Sequence, residues 1–309
     1  MSEEIYHVPA LFEEALSGLD IKPGGVYVDV TFGGGGHSRG ILSRLGESGR
    51  LYGFDRDLDA LANVPSDARF TFVHSNFRYI SNFMRYHGEE HVDGILADLG
   101  VSFHHFDSAE RGFSFRSDAP LDMRMNRRGG ITAAEFLASA SEESLLRVFR
   151  AYTDLKRPHA LVKALLAQRD RQPVATTFQL AEAAAPALNP RQEKKELAQV
   201  FQALRIEVNG EMEALGRFLE SSAELLRDGG RLAVITYHSI EDRMVKNFIK
   251  TGNIEGVEHK DFFGRLSTPW RPVNRSPVVP SQEEVERNPR SRSAKLRVAE
   301  KISDSPSLR

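Results

Sequence analysis

Cysteine is absent from all 309 residues, which excludes disulfide frames, thiolate metal sites, cysteine nucleophiles and iron-sulfur clusters at once. Long apolar runs are absent as well: the longest are of the order of Leu232 to Ile235, far below the roughly 18 residues of a membrane-spanning helix. The opening Met1-Ser2-Glu3-Glu4 has no basic head of the kind a secretory signal carries, so a cytoplasmic protein without membrane contact is expected. Neither sign of charge dominates, since 41 Lys and Arg stand against 43 Asp and Glu for a net charge of -2. No global field draws polyanions to the surface, and any nucleic-acid contact must use local patches. The ten histidines show no H-E-x-x-H spacing, and no metal site is expected.

What is present is an ordinary globular composition, with 40% hydrophobic and 27% charged residues, and a length that suggests about two domains. Residues 9–19 are amphipathic, and the β-branched run Val26-Tyr27-Val28-Asp29-Val30 follows. Helical and strand patterns then alternate: a helix through Ile41, Leu42 and Leu45, a strand 51–54, a helix near Leu58, a strand 70–73, a helix around Phe83 and a strand 92–97. That rhythm predicts a mainly parallel sheet covered by helices, with ligands at the carboxyl ends of its strands.

The rhythm breaks at residues 99–130, and 131–208 reads as helices, with apolar pairs such as Leu145 with Phe149 and Leu161 with Leu165. A helix 211–226, a Gly229-Gly230 stop and a strand 232–236 resume the α/β pattern, and 295–300 reads as one more strand. The expected organisation is a core in two parts, 1–125 and 210–309, interrupted by an all-helical insertion at 126–209.

The chemistry-bearing residues fall at predicted strand ends. Gly33 to Gly36, with His37 and Ser38, sit where the first strand hands over to a helix, so that a ligand can approach backbone amides closely. The third glycine of a dinucleotide G-x-G-x-x-G loop is missing, its candidate positions being Ser38 and Arg39, and this disfavours pyrophosphate binding. Asp55 ends the second strand 19 residues beyond Gly36, where a carboxylate can accept both hydroxyls of a ribose. Asp98 ends the fourth strand, again at the edge of the sheet where ligands are expected. Ser239 and Asp242 have the spacing of a variant capping box, compatible with His238 facing the cleft. Residues 111–128 carry five arginines against two aspartates, with Phe113 and Phe115 interleaved, and 260–297 is also basic. Both segments suit contact with phosphate.

Several long motifs stand in order along the chain: Thr31-Phe32-Gly33, Gly35-Gly36-His37-Ser38, Asp98-Leu99-Gly100-Val101-Ser102, Arg111-Gly112-Phe113-Ser114-Phe115, Leu121-Asp122-Met123-Arg124-Met125, His238-Ser239-Ile240-Glu241-Asp242-Arg243 and Asn288-Pro289-Arg290-Ser291-Arg292-Ser293. From about His7 to Glu300 the sequence resembles the RsmH family, formerly called MraW. The resemblance implies a class I, Rossmann-like methyltransferase with an inserted helical domain. It implies S-adenosylmethionine as cofactor and N4 of a cytidine in 16S ribosomal RNA, near the P site of the small ribosomal subunit, as target. By motif position, Gly34, Gly35, Gly36, His37, Asp55, Phe77, Asp98 and His105 would hold cofactor. Asp98 and His238 would serve the reaction, and Arg111, Arg116, Arg124, Arg127, Arg128 and Arg205 the RNA.

Two departures stand out. Ser102-Phe103-His104-His105 replaces the family's Ser-Ser-Pro-Gln, and Ala198-Gln199-Val200 replaces Thr-Arg-Thr. Lys194 or Lys195 could supply the contact of the missing arginine. A nicotinamide-dependent oxidoreductase and a non-catalytic ribosome-assembly factor remain the rival readings, and a homodimer is left open.

Overall fold

A computed structural model describes residues 9–100, 109–127, 129–260, 262–264 and 266–303. The chain divides into two compact units, 1–100 with 213–309, and 101–212.

In chain order the first unit opens with α1 (Phe12–Leu19), β1 (Val26–Asp29), α2 (Gly36–Arg44), β2 (Arg50–Asp55), β3 (Phe70–His74), α3 (Ile80–Tyr86) and β4 (Val92–Asp98). Helices α4 (Ala133–Ser139), α5 (Glu142–Tyr152), α6 (Pro158–Arg171), α7 (Thr177–Ala184) and α8 (Glu193–Asn209) follow. The chain then returns through α9 (Glu211–Leu225), β5 (Leu226–Thr236), α10 (Ser239–Thr251), β6 (Trp270–Pro272), α11 (Gln282–Arg287) and β7 (Lys295–Lys301).

The described strands form one seven-stranded sheet in the order β3-β2-β1-β4-β5-β7-β6. β1 to β5 run parallel, and β7 pairs antiparallel with both β5 and β6. The expected Rossmann-like α/β sheet is therefore present. Its order reverses between β1 and β4, and in such folds the crevice outside the carboxyl ends at that point receives ligands. β1 is buried at every position, and Ile95, Leu96 and Ala97 of β4 are fully buried, as parallel strands covered on both faces must be.

Three local features differ from expectation. β5 starts at Leu226 instead of 232, because pairing with β4 passes from Val92↔Leu226 to Gly94↔Arg231 and residues 227–230 bulge out. Gly229, at φ 80°, supplies the left-handed step, so the glycine pair marks a bulge within a strand. β6 lies in a Pro- and Arg-rich stretch without periodicity, yet Trp270 is buried there against Phe248. The segment near Leu58 is a 3₁₀ turn, Leu58–Asn63.

The second unit has its own core, which includes Leu145, Phe149, Leu161 and Leu165, the positions its helical periodicity singles out, together with Val200 and Leu204. Capping boxes at Thr132/Glu135 and Thr176/Gln179 start α4 and α7. Phe113, Leu121 and Met123 belong to this same core. The helical unit thus begins well before residue 126, because the apolar side chains of the Arg-rich segment have their partners in the helices. Among the described residues no helix is long and apolar enough to cross a membrane.

Candidate functional site

At the carboxyl ends of β1, β2, β4 and β5 the first unit gathers four acidic positions and a glycine loop. Asp29 is 1% exposed. Its carboxylate accepts from Ser38 Oγ at 2.7 Å and from the Thr31 amide at 3.1 Å. Desolvation pushes its pKa up, against the opposing influence of His37 and those two donors. Thr31 Oγ1 in turn accepts the Asp98 amide at 2.6 Å, so the ends of β1 and β4 are tied through one hydroxyl.

The loop between β1 and α2 uses left-handed backbone at Gly33 (φ 50°) and at Gly35 (φ 73°), the residue that precedes α2. A Cβ on Gly35 would lie 2.9 Å from the Phe32 ring, whereas a Cβ on Gly34 would meet nothing within 4 Å. The loop is therefore closed on its protein side and open at Gly34. Asp55 fixes it from β2, with Oδ2 accepting the Gly33 amide at 2.8 Å and Oδ1 the Asp57 amide at 2.8 Å. Phe77 follows β3 in a short 3₁₀ turn and packs edge-on against Phe218, with ring centres 5.5 Å apart.

His37 lies in the first turn of α2, stacked on Phe12 and 5% exposed. Burial lowers its pKa, with Asp29 opposing, which keeps the imidazole neutral at pH 7. Its Nδ1 is 3.8 Å from Asp98 Oδ2, beyond hydrogen-bonding distance. The Asp98 carboxyl is perturbed in the same direction as that of Asp29. Desolvation, reinforced by Glu241, raises its pKa from 3.8 to about 6, although hydrogen bonds from the Tyr237 side chain and the Gly100 backbone pull the other way. Its Oδ1 is buried without a hydrogen-bond partner among the described residues, an acceptor that native structures rarely leave unused.

His238 follows β5 and is itself the N-cap of α10, its Nδ1 accepting the Glu241 amide at 3.4 Å. Ser239, expected to cap, is instead the first helical residue. His238 Nε2 lies 2.9 Å from Glu241 Oε1 but is not aligned for a hydrogen bond. Tyr237 and Glu241 were not singled out from the sequence. Glu241 stands within the quoted motif that begins at His238, and the only signal for Tyr237 is its place just before that motif at the end of a strand.

The arginines expected to meet RNA fall into two sets. Arg111 is buried, with Nη2 donating to the carbonyls of Arg124 and Met125 at 3.1 and 2.8 Å. Arg205 is paired through two hydrogen bonds with Glu211 at 3.0 and 2.9 Å, and Arg124 in the same manner with Asp122 at 2.7 and 2.9 Å. Within the chain these guanidiniums have their partners inside the helical unit, a use of charge that spacing could not reveal. Arg116 and Arg127 are exposed, while Arg128 and His105 lie outside the described residues.

With this geometry in place, comparison with known proteins is decisive. The model of the MraW methylase family matches residues 4–302. The chain belongs to the MraW methylase family. Ribosomal RNA small subunit methyltransferase H of Bacteroides thetaiotaomicron is 60% identical over 299 residues, covering 97% of this chain and 98% of that protein. The protein of the same name from Parabacteroides distasonis is 60% identical over 301 residues, covering 97% and 99%. Among solved structures, a putative rRNA-methylase from Clostridium thermocellum is similar at 14% identity and a TM-score of 0.45, covering 96% of this chain and all of that one. For this MraW methylase the nicotinamide reading of the glycine loop has no remaining support.

Proposed function

We propose that the chain transfers the methyl group of S-adenosylmethionine to N4 of a cytidine in 16S ribosomal RNA near the P site, acting in the cytoplasm on the small subunit or a late precursor of it. The observation that carries this reading is the buried Oδ1 of Asp98, without a hydrogen-bond partner among the described residues, at the switch point of the sheet beside a glycine loop that is open at Gly34. The names of the relatives supply the RNA, and family membership supplies the methylation.

The residues present fit the cofactor. Gly34, Gly35 and Gly36 would let it approach the backbone, Asp55 would receive its ribose hydroxyls, and Phe77 and His37 would flank it on apolar surface. When bound, the cofactor supplies a methyl group on a sulfonium. Transfer would form the new C–N bond from the amine lone pair, with the C–S electrons leaving on sulfur. The amine then sheds a proton.

What the chain itself contributes is alignment and a proton acceptor. Cytosine N4 is a weak nucleophile because its lone pair is delocalised into the ring. Asp98 Oδ1 would orient the N–H and take the proton as positive charge develops. An acceptor with a pKa near 6 is ionised at pH 7 and still basic enough to receive a proton. Arg116, Arg127 and Arg128 would meet phosphates flanking the splayed base. The test is nucleoside mass spectrometry of 16S RNA after incubating unmethylated small subunits with enzyme and labelled S-adenosylmethionine. N4-methylcytidine is the expected product, and no labelled nucleoside would leave a non-catalytic assembly factor as the better reading.

A further inference from the structure

Residues 9–12 run against the start of α2, next to the glycine loop. A Cβ on Gly36 would stand 2.4 Å from Pro9 Cγ, so the pyrrolidine ring lies directly on the first residue of α2. Phe12 stacks on His37, with ring centres 5.9 Å apart and planes 24° from parallel, and a Cβ on Gly40 would stand 2.7 Å from its Cζ. Two rings thus back one face of the helix at positions 36, 37 and 40. Between them Leu11 turns left-handed, at φ 53° and ψ 39°, a conformation that a bulky side chain holds only where its surroundings enforce it. Its side chain is fully buried in a core shared with Ala10, Leu16 and Ile41. As the N-cap of α1, Leu11 has no acceptor for its amide within the helix. That acceptor comes from 273 residues along the chain: Glu284 Oε1 takes the Leu11 amide at 2.8 Å. Glu284 stands in the first turn of α11, where Ser281 Oγ accepts its own amide at 3.1 Å.

We propose that Glu284 is a positioning residue for S-adenosylmethionine: by holding the Leu11 amide it keeps residues 9–12 seated on α2, and so fixes Gly36 and His37 in the arrangement that receives the cofactor. The inference rests on the methyl-transfer reading above, which puts both residues beside the cofactor. His37 Nε2 is buried without a hydrogen-bond partner among the described residues, so the ring that Phe12 backs has a polar atom to offer a ligand. Removing the Glu284 side chain would take the acceptor from a fully buried residue and with it the contact that offsets the left-handed turn. Pro9 and Phe12 flank Leu11 in the chain, and rotation at Leu11 displaces both rings from α2. Only the seated fraction then binds cofactor, and apparent affinity falls by that fraction. Saturating cofactor draws the chain back to the seated form and restores the rate.

The experiment measures S-adenosylmethionine affinity by calorimetry, and single-turnover transfer to unmethylated small subunits at saturating cofactor, for wild type, Glu284→Ala, Glu284→Gln and Phe12→Leu. Glu284→Ala should bind about tenfold more weakly, the equivalent of one lost hydrogen bond to a carboxylate, with a saturated rate within about threefold of wild type. Glu284→Gln still offers Leu11 a carbonyl oxygen and should bind within about threefold of wild type. Phe12→Leu keeps apolar volume but removes the ring behind His37, and should weaken affinity by about threefold or more; if Glu284→Ala does not fold, this variant decides. Joined in one chain, the two changes should cost less than the product of their separate effects, because both release the same segment. Wild-type affinity in Glu284→Ala or in Phe12→Leu would overturn the proposal. So would a Glu284→Gln as weak as Glu284→Ala, a saturated rate that falls in step with affinity, or losses that multiply in the double variant. A wild type that binds no S-adenosylmethionine would fail the underlying reading instead, and that outcome is visible before any variant is made.

Discussion

Asp98 stores a conflict between stability and chemistry. Its pKa is raised in the folded chain, so the folded state disfavours its charge. Stability is highest below the unfolded pKa of 3.8 and falls as pH rises toward about 6. A shift of about two units corresponds to about 3 kcal/mol, and the side chain is 20% exposed, so most of this survives solvent screening. Asp98→Asn should therefore raise the denaturation midpoint at pH 7, and the gain should vanish below pH 4. Single-turnover transfer should fall at least a hundredfold. Thermal melts at the two pH values check the first outcome, and an equally unstable variant would remove the charge conflict. Asp55 has a different profile because it ties the glycine loop as well as facing the proposed ribose. Asp55→Ala should weaken S-adenosylmethionine by about 1.5–3 kcal/mol, the range for hydrogen bonds to a charged partner. Calorimetry on a well-folded variant decides, and unchanged affinity would take Asp55 out of the site.

Among the elements, those with strong periodicity were the legible ones. β1 to β4 and the helical positions Leu145, Phe149, Leu161 and Leu165 follow from pattern alone, because continuous β-branched runs and i, i+4 spacing each admit few alternatives. What spacing could not reveal was the use made of each charge. Arg111 and Arg116 look alike in sequence, yet one is wrapped in carbonyls and the other faces solvent, a distinction made by partners distant along the chain. Nor could it place Tyr237, whose ring lies over Gly100 more than 130 residues earlier. The two sets of arginines should separate by experiment. Arg111→Ala leaves two partly buried carbonyls without that donor and should cost about 1–3 kcal/mol in denaturant unfolding. Arg116→Ala with Arg127→Ala should change stability by less than about 1 kcal/mol in total. That double variant should instead weaken binding to small subunits and flatten its salt dependence by roughly 1–2 in log–log slope. An unchanged slope in a filter-binding series would show that neither side chain meets phosphate.

For the molecule as a whole, two separate cores predict two separable unfolding events. S-adenosylmethionine should raise the transition of the unit that carries the glycine loop, by mass action on that unit alone. Phe149→Ala, fully buried in the helical unit, should lower the other transition by about 3–5 kcal/mol. Calorimetric scans with and without ligand test both, and a single transition that moves as one under either change would mean that the units unfold together.

The strand order also sets a timetable for synthesis. β4 is complete at Asp98, but its parallel neighbour pairs from Arg231 onward through Ile235, more than 130 residues later. At about 5–20 residues per second, the ribosome takes roughly 7–27 seconds to deliver it. Through that interval the nascent chain carries Ile95, Leu96 and Ala97 on a half-paired edge, the arrangement most prone to wrong association. The helical unit emerges meanwhile and can fold on its own core. Chaperone-depleted translation should therefore yield aggregates that begin with chains stalled between β4 and β5. Chains released after β5 and β7 have emerged should stay in solution.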